Sequence, residues 1–170
     1  MNSFLKNIGL HDILNIELNI NRIELIEKLW KITYKTNTSF ISLERDTAIP
    51  TRFEYRGMID NNGFTLKKRI RLFDINLNNP VFRGKISDQN DRTFASIEIV
   101  PSAFQIFSSV IILCFFLIAI YATLQATEKD FYFLAFTIII TVMQYFTLKR
   151  GIKKGKYDFE RELIYIVQKH

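Results

Sequence analysis

Lys68 is the residue whose position in the sequence most suggests a chemical role. It lies in residues 53–72, where apolar and polar side chains alternate, and it falls among the apolar positions. Counting outward from Asn62-Gly63 as a two-residue hairpin turn pairs Lys68 with Gly57, which leaves space beside the ammonium group. A charge that faces an apolar layer needs a partner. Either the lysine stem packs and its ammonium reaches water at the sheet edge, which we favour, or Lys68 and Gly57 form a pocket for an anionic ligand.

Basic side chains also gather directly after an uncharged run, residues 131–148. Such a cluster suits contact with anionic lipid headgroups at a membrane surface. The connection between this run and the preceding one, residues 125–130, holds Lys129 as its only basic residue. Since basic residues are retained on the cytoplasmic side, we expect both termini to be cytoplasmic at the inner (plasma) membrane. The basic cluster consists of Lys149, Arg150, Lys153, Lys154 and Lys156.

Side chains suited to catalysis or metal binding are sparse and scattered. His11 and His170 are the only histidines and Cys114 is the only cysteine, so a zinc site or a catalytic triad has few candidates. Acidic residues are interspersed with basic ones, which is typical of a solvated surface, and no glycine-rich nucleotide motif occurs. We therefore predict no catalytic residues, no metal and no cofactor, and a protein that is not an enzyme.

Two uncharged apolar runs, residues 103–124 and 131–148, are the elements that must hold the basic cluster at a bilayer. As a helix the first run is roughly 33 Å long, which is enough to cross the hydrocarbon. The short polar connection predicts a hairpin of two transmembrane helices. Thr137, Thr141 and Gln144 recur at i, i+4 and i+7, so we expect a polar face that hydrogen-bonds to the partner helix or to another copy.

The polar part of the chain, residues 1–100, predicts one small cytoplasmic domain. Alternating apolar residues at 16–20 indicate a first strand. Asn21, with Glu24 three residues later, is typical of a capped helix that runs to about residue 34. Its apolar face is expected to consist of Ile23, Ile26, Leu29, Trp30 and Thr33.

Further strands are predicted on both sides of the hairpin turn and after it. Residues 81–87 and 93–100 read as two strands, and Pro101 ends the second one immediately before the first apolar run. The sheet is therefore joined to the first membrane helix with little linker.

The tail, residues 151–170, carries Phe159 and Leu163 on one helical face. We expect a helix that docks this face on the sheet, although alternation near the end leaves a strand as the alternative. Gly151 and Gly155 are expected to loosen its connection to the second span.

The fold class predicted from these elements is α+β: an antiparallel sheet with one N-terminal amphipathic helix, a two-helix transmembrane hairpin, and a C-terminal amphipathic helix. The corresponding segments are residues 1–100, 101–150 and 151–170. A formal net charge of +6 allows a nucleic acid or an anionic membrane as partner, and the apolar runs favour the membrane, so no nucleic acid is expected.

The β-rich segment with Phe64, Pro80 and Gly84-Lys85-Ile86, followed by an apolar hairpin, is similar to small two-span membrane proteins of bacteria. The resemblance covers residues 52–148. It implies the architecture, and it implies neither an activity nor functional residues.

Two functional hypotheses follow from the sequence. The favoured one is a non-enzymatic, membrane-anchored module that binds a protein partner or assembles into a homo-oligomer. The alternative is a ligand-responsive membrane effector, in which an anionic small molecule or lipid bound by the β domain alters the hairpin.

Overall fold

The computed structural model describes residues 2–36, 48–70, 79–89, 92–125 and 131–168. Within them the described strands form one six-stranded sheet in the order β1-β6-β5-β4-β3-β2, antiparallel except for the parallel pair of β2 and β3. The predicted α+β class with a largely antiparallel sheet is confirmed. The elements are α1 (Asn2–Asn7), β1 (Asp12–Leu18), α2 (Arg22–Ile32), β2 (Thr33–Lys35), β3 (Tyr55–Ile59), β4 (Gly63–Lys68), β5 (Val81–Gln89), β6 (Arg92–Val100), α3 (Ala103–Gln125) and α4 (Tyr132–Gln168).

Helix α2 begins where the sequence predicts it. The Glu24 amide donates a hydrogen bond to the Asn21 side chain at 2.8 Å, which satisfies one of the free N–H groups of the first turn. The predicted buried face is wrong at Ile23, which is 67% exposed, whereas Leu25 and Leu29 are buried. The rest of the predicted face is confirmed, since Leu29 and Thr33 are buried and Ile26 and Trp30 pack against the core.

The hairpin of β3 and β4 is displaced by two residues from the predicted register. Gly57 lies opposite Leu66 rather than Lys68, and Lys68 lies opposite Tyr55. A displacement of two residues keeps each side chain on its predicted face, because side chains alternate with a period of two. The same count from Asn62-Gly63 predicts pairs of Glu54 with Arg71 and of Phe53 with Leu72, and residues 71 and 72 lie outside the described residues.

The turn of this hairpin explains the displacement. The Asp60 amide donates to the Gly63 carbonyl at 2.9 Å, so Asn61-Asn62 form the turn instead of Asn62-Gly63. The Asn62 amide also donates to the Asp60 carboxylate at 2.9 Å, which is a local turn-stabilising bond. Gly63 belongs to β4, where a Cβ atom would lie 2.4 Å from the Gly84 carbonyl oxygen. Glycine is therefore required at residue 63 by the close approach of β4 and β5, and not by the turn.

The sheet passes directly into the first long helix, as predicted. Only Pro101 and Ser102 separate β6 from α3. The Ser102 amide donates to the Gln105 side chain at 2.7 Å, and the Gln105 amide donates to the Ser102 hydroxyl at 3.4 Å. This reciprocal capping box fixes the direction in which α3 leaves the sheet.

Helix α4 is continuous from Tyr132 to Gln168, so the second apolar run and the tail form one helix. The tail is helical, as favoured, but the predicted loosening at Gly151 and Gly155 is wrong, and the helix has no break at residue 151. A glycine inside a helix costs about 1 kcal/mol. Packing of buried side chains on both sides of the glycines, Leu148, Ile152 and Phe159 among them, offsets this cost.

The second half of α4 packs on the sheet face through an aromatic cluster. Phe159 is 1% exposed, and its ring stacks on Phe82 with centroids 4.2 Å apart and an interplanar angle of 11°. Tyr55 and Phe64 surround it at centroid distances of 5.6 and 6.0 Å. The core of the α+β domain is therefore completed by the tail of the chain.

Helix α3 packs against the apolar first half of α4, and Ala119 and Thr137 are buried there. Both helices are long and apolar enough to cross a membrane. The connection predicted as a turn falls mostly on residues 126–130, which lie outside the described residues.

Candidate functional site

A cleft of about 580 Å³ lies between the sheet and α4. The sheet contributes the first residue of β3, the last residue of β4, and the start of β5 with the segment that leads into it. Helix α4 contributes one face of about three turns. The lining residues are Tyr55, Lys68, Asn79, Pro80, Phe82, Thr147, Arg150, Gly151, Lys154, Gly155, Asp158 and Phe159.

Three cationic side chains, Lys68, Arg150 and Lys154, line this cleft. Arg150 and Lys154 are one helical turn apart and share a face of α4, while Lys68 comes from the opposite wall. Among the described residues, no carboxylate oxygen lies within 4.0 Å of a side-chain nitrogen of these three. Asp158, which also lines the cleft, lies 3.7 Å from Arg161. The cleft is therefore a cationic site rather than a set of closed ion pairs.

Two glycines on α4 affect how closely this helix approaches the sheet at the cleft. Gly151 and Gly155 lie four residues apart on the face that meets Pro80, and a Cβ atom at Gly155 would lie 2.6 Å from the Pro80 Cγ. The Asn79 side-chain amide donates to the Lys68 carbonyl at 3.3 Å, which ties the β5 lead-in to the end of β4. Helix and sheet thus approach closely at Gly155 and leave space on either side of it.

Tyr55 closes the inner end of the cleft with a fixed hydroxyl group. Its OH donates to a Glu162 carboxylate oxygen at 2.6 Å. Burial, reinforced by the negative charge of Glu162, raises the pKa of Tyr55 far above its ordinary value of 10. The hydroxyl therefore stays protonated and acts as a structural donor between β3 and α4.

Lys68 is the last residue of β4, is half-buried and lines the cleft. Gly57 does not line it. Gly57 packs against the backbone of β4, where a Cβ atom would lie 2.0 Å from the Thr65 carbonyl oxygen. The predicted pairing of Lys68 and Gly57 in one pocket is thus not formed, and Arg150 and Lys154 stand beside Lys68 instead.

The basic cluster after the second apolar run divides into members with different surroundings. Arg150, Lys153 and Lys154 are all exposed, and of these three Arg150 and Lys154 line the cleft. The Lys149 ammonium donates to the Tyr145 hydroxyl at 3.4 Å.

Lys156 forms an ion pair with Asp12 of β1 at 2.9 Å. Burial alone would raise the pKa of the Asp12 carboxyl, but the hydrogen bonds from Lys156 and from the Ile13 amide, together with the Lys156 charge, lower it below the usual 3.8. Lys156 is therefore engaged in holding α4 to the edge strand of the sheet.

The predicted polar face of the second apolar run satisfies most of its hydrogen bonds within its own helix. The Thr137 hydroxyl donates to the Leu134 carbonyl at 2.9 Å, and the Thr141 hydroxyl donates to the Thr137 carbonyl at 2.8 Å. Thr137 is buried, and Thr141 and Gln144 are half-buried. The face lies partly inside the helix pair, and its two threonines act as small packing residues with self-satisfied hydroxyls.

In the part of the chain that the structure describes, no group of three His, Cys, Asp or Glu side chains could hold a metal ion. The cleft offers positively charged side chains beside an aromatic wall, which suits binding of an anion.

In the comparisons with known proteins, no family model matches the chain and no curated protein matches it.

Proposed function

We propose that the protein crosses a bilayer twice, through α3 and α4, and holds its α+β domain at the membrane surface as a non-enzymatic binding module. The observation that carries this proposal is the exposure of the two helices. In the apolar window of each helix only 11% of the residues are buried inside the chain, whereas a core helix of a soluble protein is mostly buried. Exposed apolar helix surfaces of this length are stable in the hydrocarbon of a bilayer.

The exposed side chains extend along the whole of α3. Phe107 is 53% exposed, Phe115 57% and Leu124 79%, so the apolar surface reaches from the first turns of the helix to its end. Soluble monomers rarely expose contiguous apolar patches larger than a few hundred Å². A helix of this length covers the thickness of a bilayer core, which supports a membrane-spanning role over a local docking site.

The orientation proposed is cytoplasmic for both termini. The basic residues on α4 follow the apolar half of that helix directly, at the end that meets the sheet. Positive charge at this level favours the cytoplasmic side of the inner membrane. The α+β domain would then lie against the cytoplasmic leaflet.

Membrane fractionation tests this proposal directly. Full-length protein should remain in the pellet after membranes are washed with alkaline carbonate, and green fluorescent protein fused after residue 170 should fluoresce. Release into the carbonate supernatant would contradict the spans, and activity of an alkaline phosphatase fused at the same position would contradict the orientation. We propose that the module binds a protein partner or assembles into a homo-oligomer. For a homo-oligomer, light scattering of the detergent-solubilised protein should give the mass of more than one chain.

A second function, a ligand-responsive membrane effector, is favoured by one observation. The helix that carries the second apolar run also supplies the α4 wall of the cleft, from Thr147 to Phe159, without a break. Occupation of the cleft would therefore act on the same rigid element that enters the bilayer. Liposomes loaded with a dye test this candidate, because release that is the same with and without an anionic ligand would contradict it.

A further inference from the structure

We propose that the cleft binds a phosphate group, and that its source is the headgroup of an anionic phospholipid. The inference rests on the proposed membrane insertion for the source of the ligand, although not for the chemistry of the site. Lys68, Arg150 and Lys154 would hold the phosphate between the sheet and α4.

The side chains of Lys68, Arg150 and Lys154 favour a phosphate as the ligand. Arginine presents a planar fork of donors that matches phosphate oxygens two at a time, and the lysine ammonium groups add compact charges. The three cations converge from two walls, while the described carboxylate of the cleft, Asp158, lies within ion-pair distance of Arg161. Both walls of the cleft therefore carry cationic side chains suited to an anion with several oxygens.

The position of the cleft along α4 favours a lipid headgroup as the source of the phosphate. Thr147 is the penultimate residue of the uncharged run that ends at residue 148, and Arg150 and Lys154 occupy the next two turns. At 1.5 Å per residue, Lys154 lies roughly 9 Å beyond the end of that run along the helix axis. Headgroup phosphates occupy this depth, just outside the hydrocarbon.

The size and walls of the cleft agree with a headgroup and its glycerol carbons. A volume of about 580 Å³ lies within the range of small-molecule sites. Tyr55, Phe82 and Phe159 give the cleft an apolar wall next to its charged mouth. Gly151 lines the cleft and has no side chain to occupy it.

The experiment uses full-length protein in a neutral detergent, titrated separately with short-chain phosphatidylglycerol, short-chain phosphatidylcholine and inorganic phosphate. Binding is followed by the rise in unfolding midpoint. We expect phosphatidylglycerol to bind more tightly than phosphatidylcholine, and added salt to weaken it. Arg150→Gln and Lys68→Gln should each weaken binding by about tenfold or more, as expected for loss of a charged hydrogen bond.

Lys153→Gln is the matched control, because Lys153 is exposed on the same helix and does not line the cleft. Arg150→Lys, which keeps the charge and loses the fork, should fall between wild type and Arg150→Gln. The unfolding midpoint without ligand reports whether each variant is folded.

Equal loss of affinity in Lys153→Gln and Arg150→Gln would overturn the site, because the binding would then depend on net charge alone. If inorganic phosphate bound as tightly as phosphatidylglycerol and at the same residues, the proposal that the phosphate belongs to a lipid headgroup would be contradicted. Since the titration is done in detergent, failure of membrane insertion would appear only in the fractionation experiment and is distinguishable from failure of the site.

Discussion

Replacing Phe159 with alanine should strongly destabilise the α+β domain. The side chain is 1% exposed and lies within three other rings, so its removal leaves a cavity that rigid aromatic neighbours cannot easily fill. Phe→Ala changes in cores cost about 3–5 kcal/mol. Aromatic pairs such as Phe82 and Phe159 add roughly 0.5–1.5 kcal/mol beyond burial, which places this variant in the upper half of that range.

Guanidinium unfolding of the full chain in a mild detergent measures this effect. Trp30 is the only tryptophan and packs against the core, so its fluorescence follows the domain while the apolar helices stay in the micelle. With a guanidinium slope of about 4 kcal/mol per M, the midpoint should fall by roughly 1 M.

Tyr157→Ala is the matched control, since it removes a ring from the same helix at a position that is 71% exposed. It should change stability by no more than about 0.5 kcal/mol. Equal midpoints for Phe159→Ala and Tyr157→Ala would refute the claim that the second half of α4 completes the core.

Three further predictions concern other elements. Asp12→Asn should lower stability at pH 7 by less than about 1 kcal/mol, because the pair with Lys156 is partly exposed. The lowered pKa of Asp12 means that its contribution is present above pH 3.8 and is lost as the pH falls through the folded value, so denaturation curves of variant and wild type should converge in acid. Gly84→Ala should destabilise by about 1–3 kcal/mol in thermal unfolding, because the new Cβ atom would lie 2.2 Å from the Phe64 ring. Ser102→Ala should remove the cap of α3 and cost about 1 kcal/mol in the same assay.

These predictions fail in distinct ways. A constant difference between Asp12→Asn and wild type from neutral to acidic pH would show that the Lys156 pair is not the cause. An unchanged melting temperature for Gly84→Ala would contradict the close approach of Phe64 to β5, and for Ser102→Ala it would contradict the capping box.

Local signals in the sequence were sufficient where a few neighbouring residues determine the structure. The helix cap at Asn21 depends on one side chain and an amide three residues later, so it could be read directly. The end of β6 before Pro101 is equally local. The register of the β3–β4 hairpin was missed by two residues because Gly63 resembles a turn glycine, while its role is to allow close packing against Gly84 of another strand.

The cleft was only partly predictable, since its residues are far apart in the chain. Lys68 was singled out because it interrupts an apolar pattern, but Arg150 and Lys154 read as members of a surface cluster. Their convergence depends on α4 being one helix. Gly155 suggested a flexible joint from sequence alone, and its actual role, contact with Pro80, depends on a strand lead-in that no local pattern reveals.

Membrane insertion of α3 can be tested at Cys114, the only cysteine of the chain, which lies on that helix. Its side chain is exposed on the single chain, so within an inserted α3 it would face lipid or a second copy and not water. A cysteine thiolate is the nucleophile that attacks a maleimide, so a maleimide that stays in water cannot react with a cysteine inside the hydrocarbon. We expect a water-soluble maleimide to leave Cys114 unmodified in both intact and opened membrane vesicles. The same reagent should react in opened vesicles with the new cysteine of Arg83→Cys, because Arg83 is exposed, and should modify Cys114 fully in dodecyl sulfate. Rapid modification of Cys114 in native vesicles would contradict membrane insertion of α3.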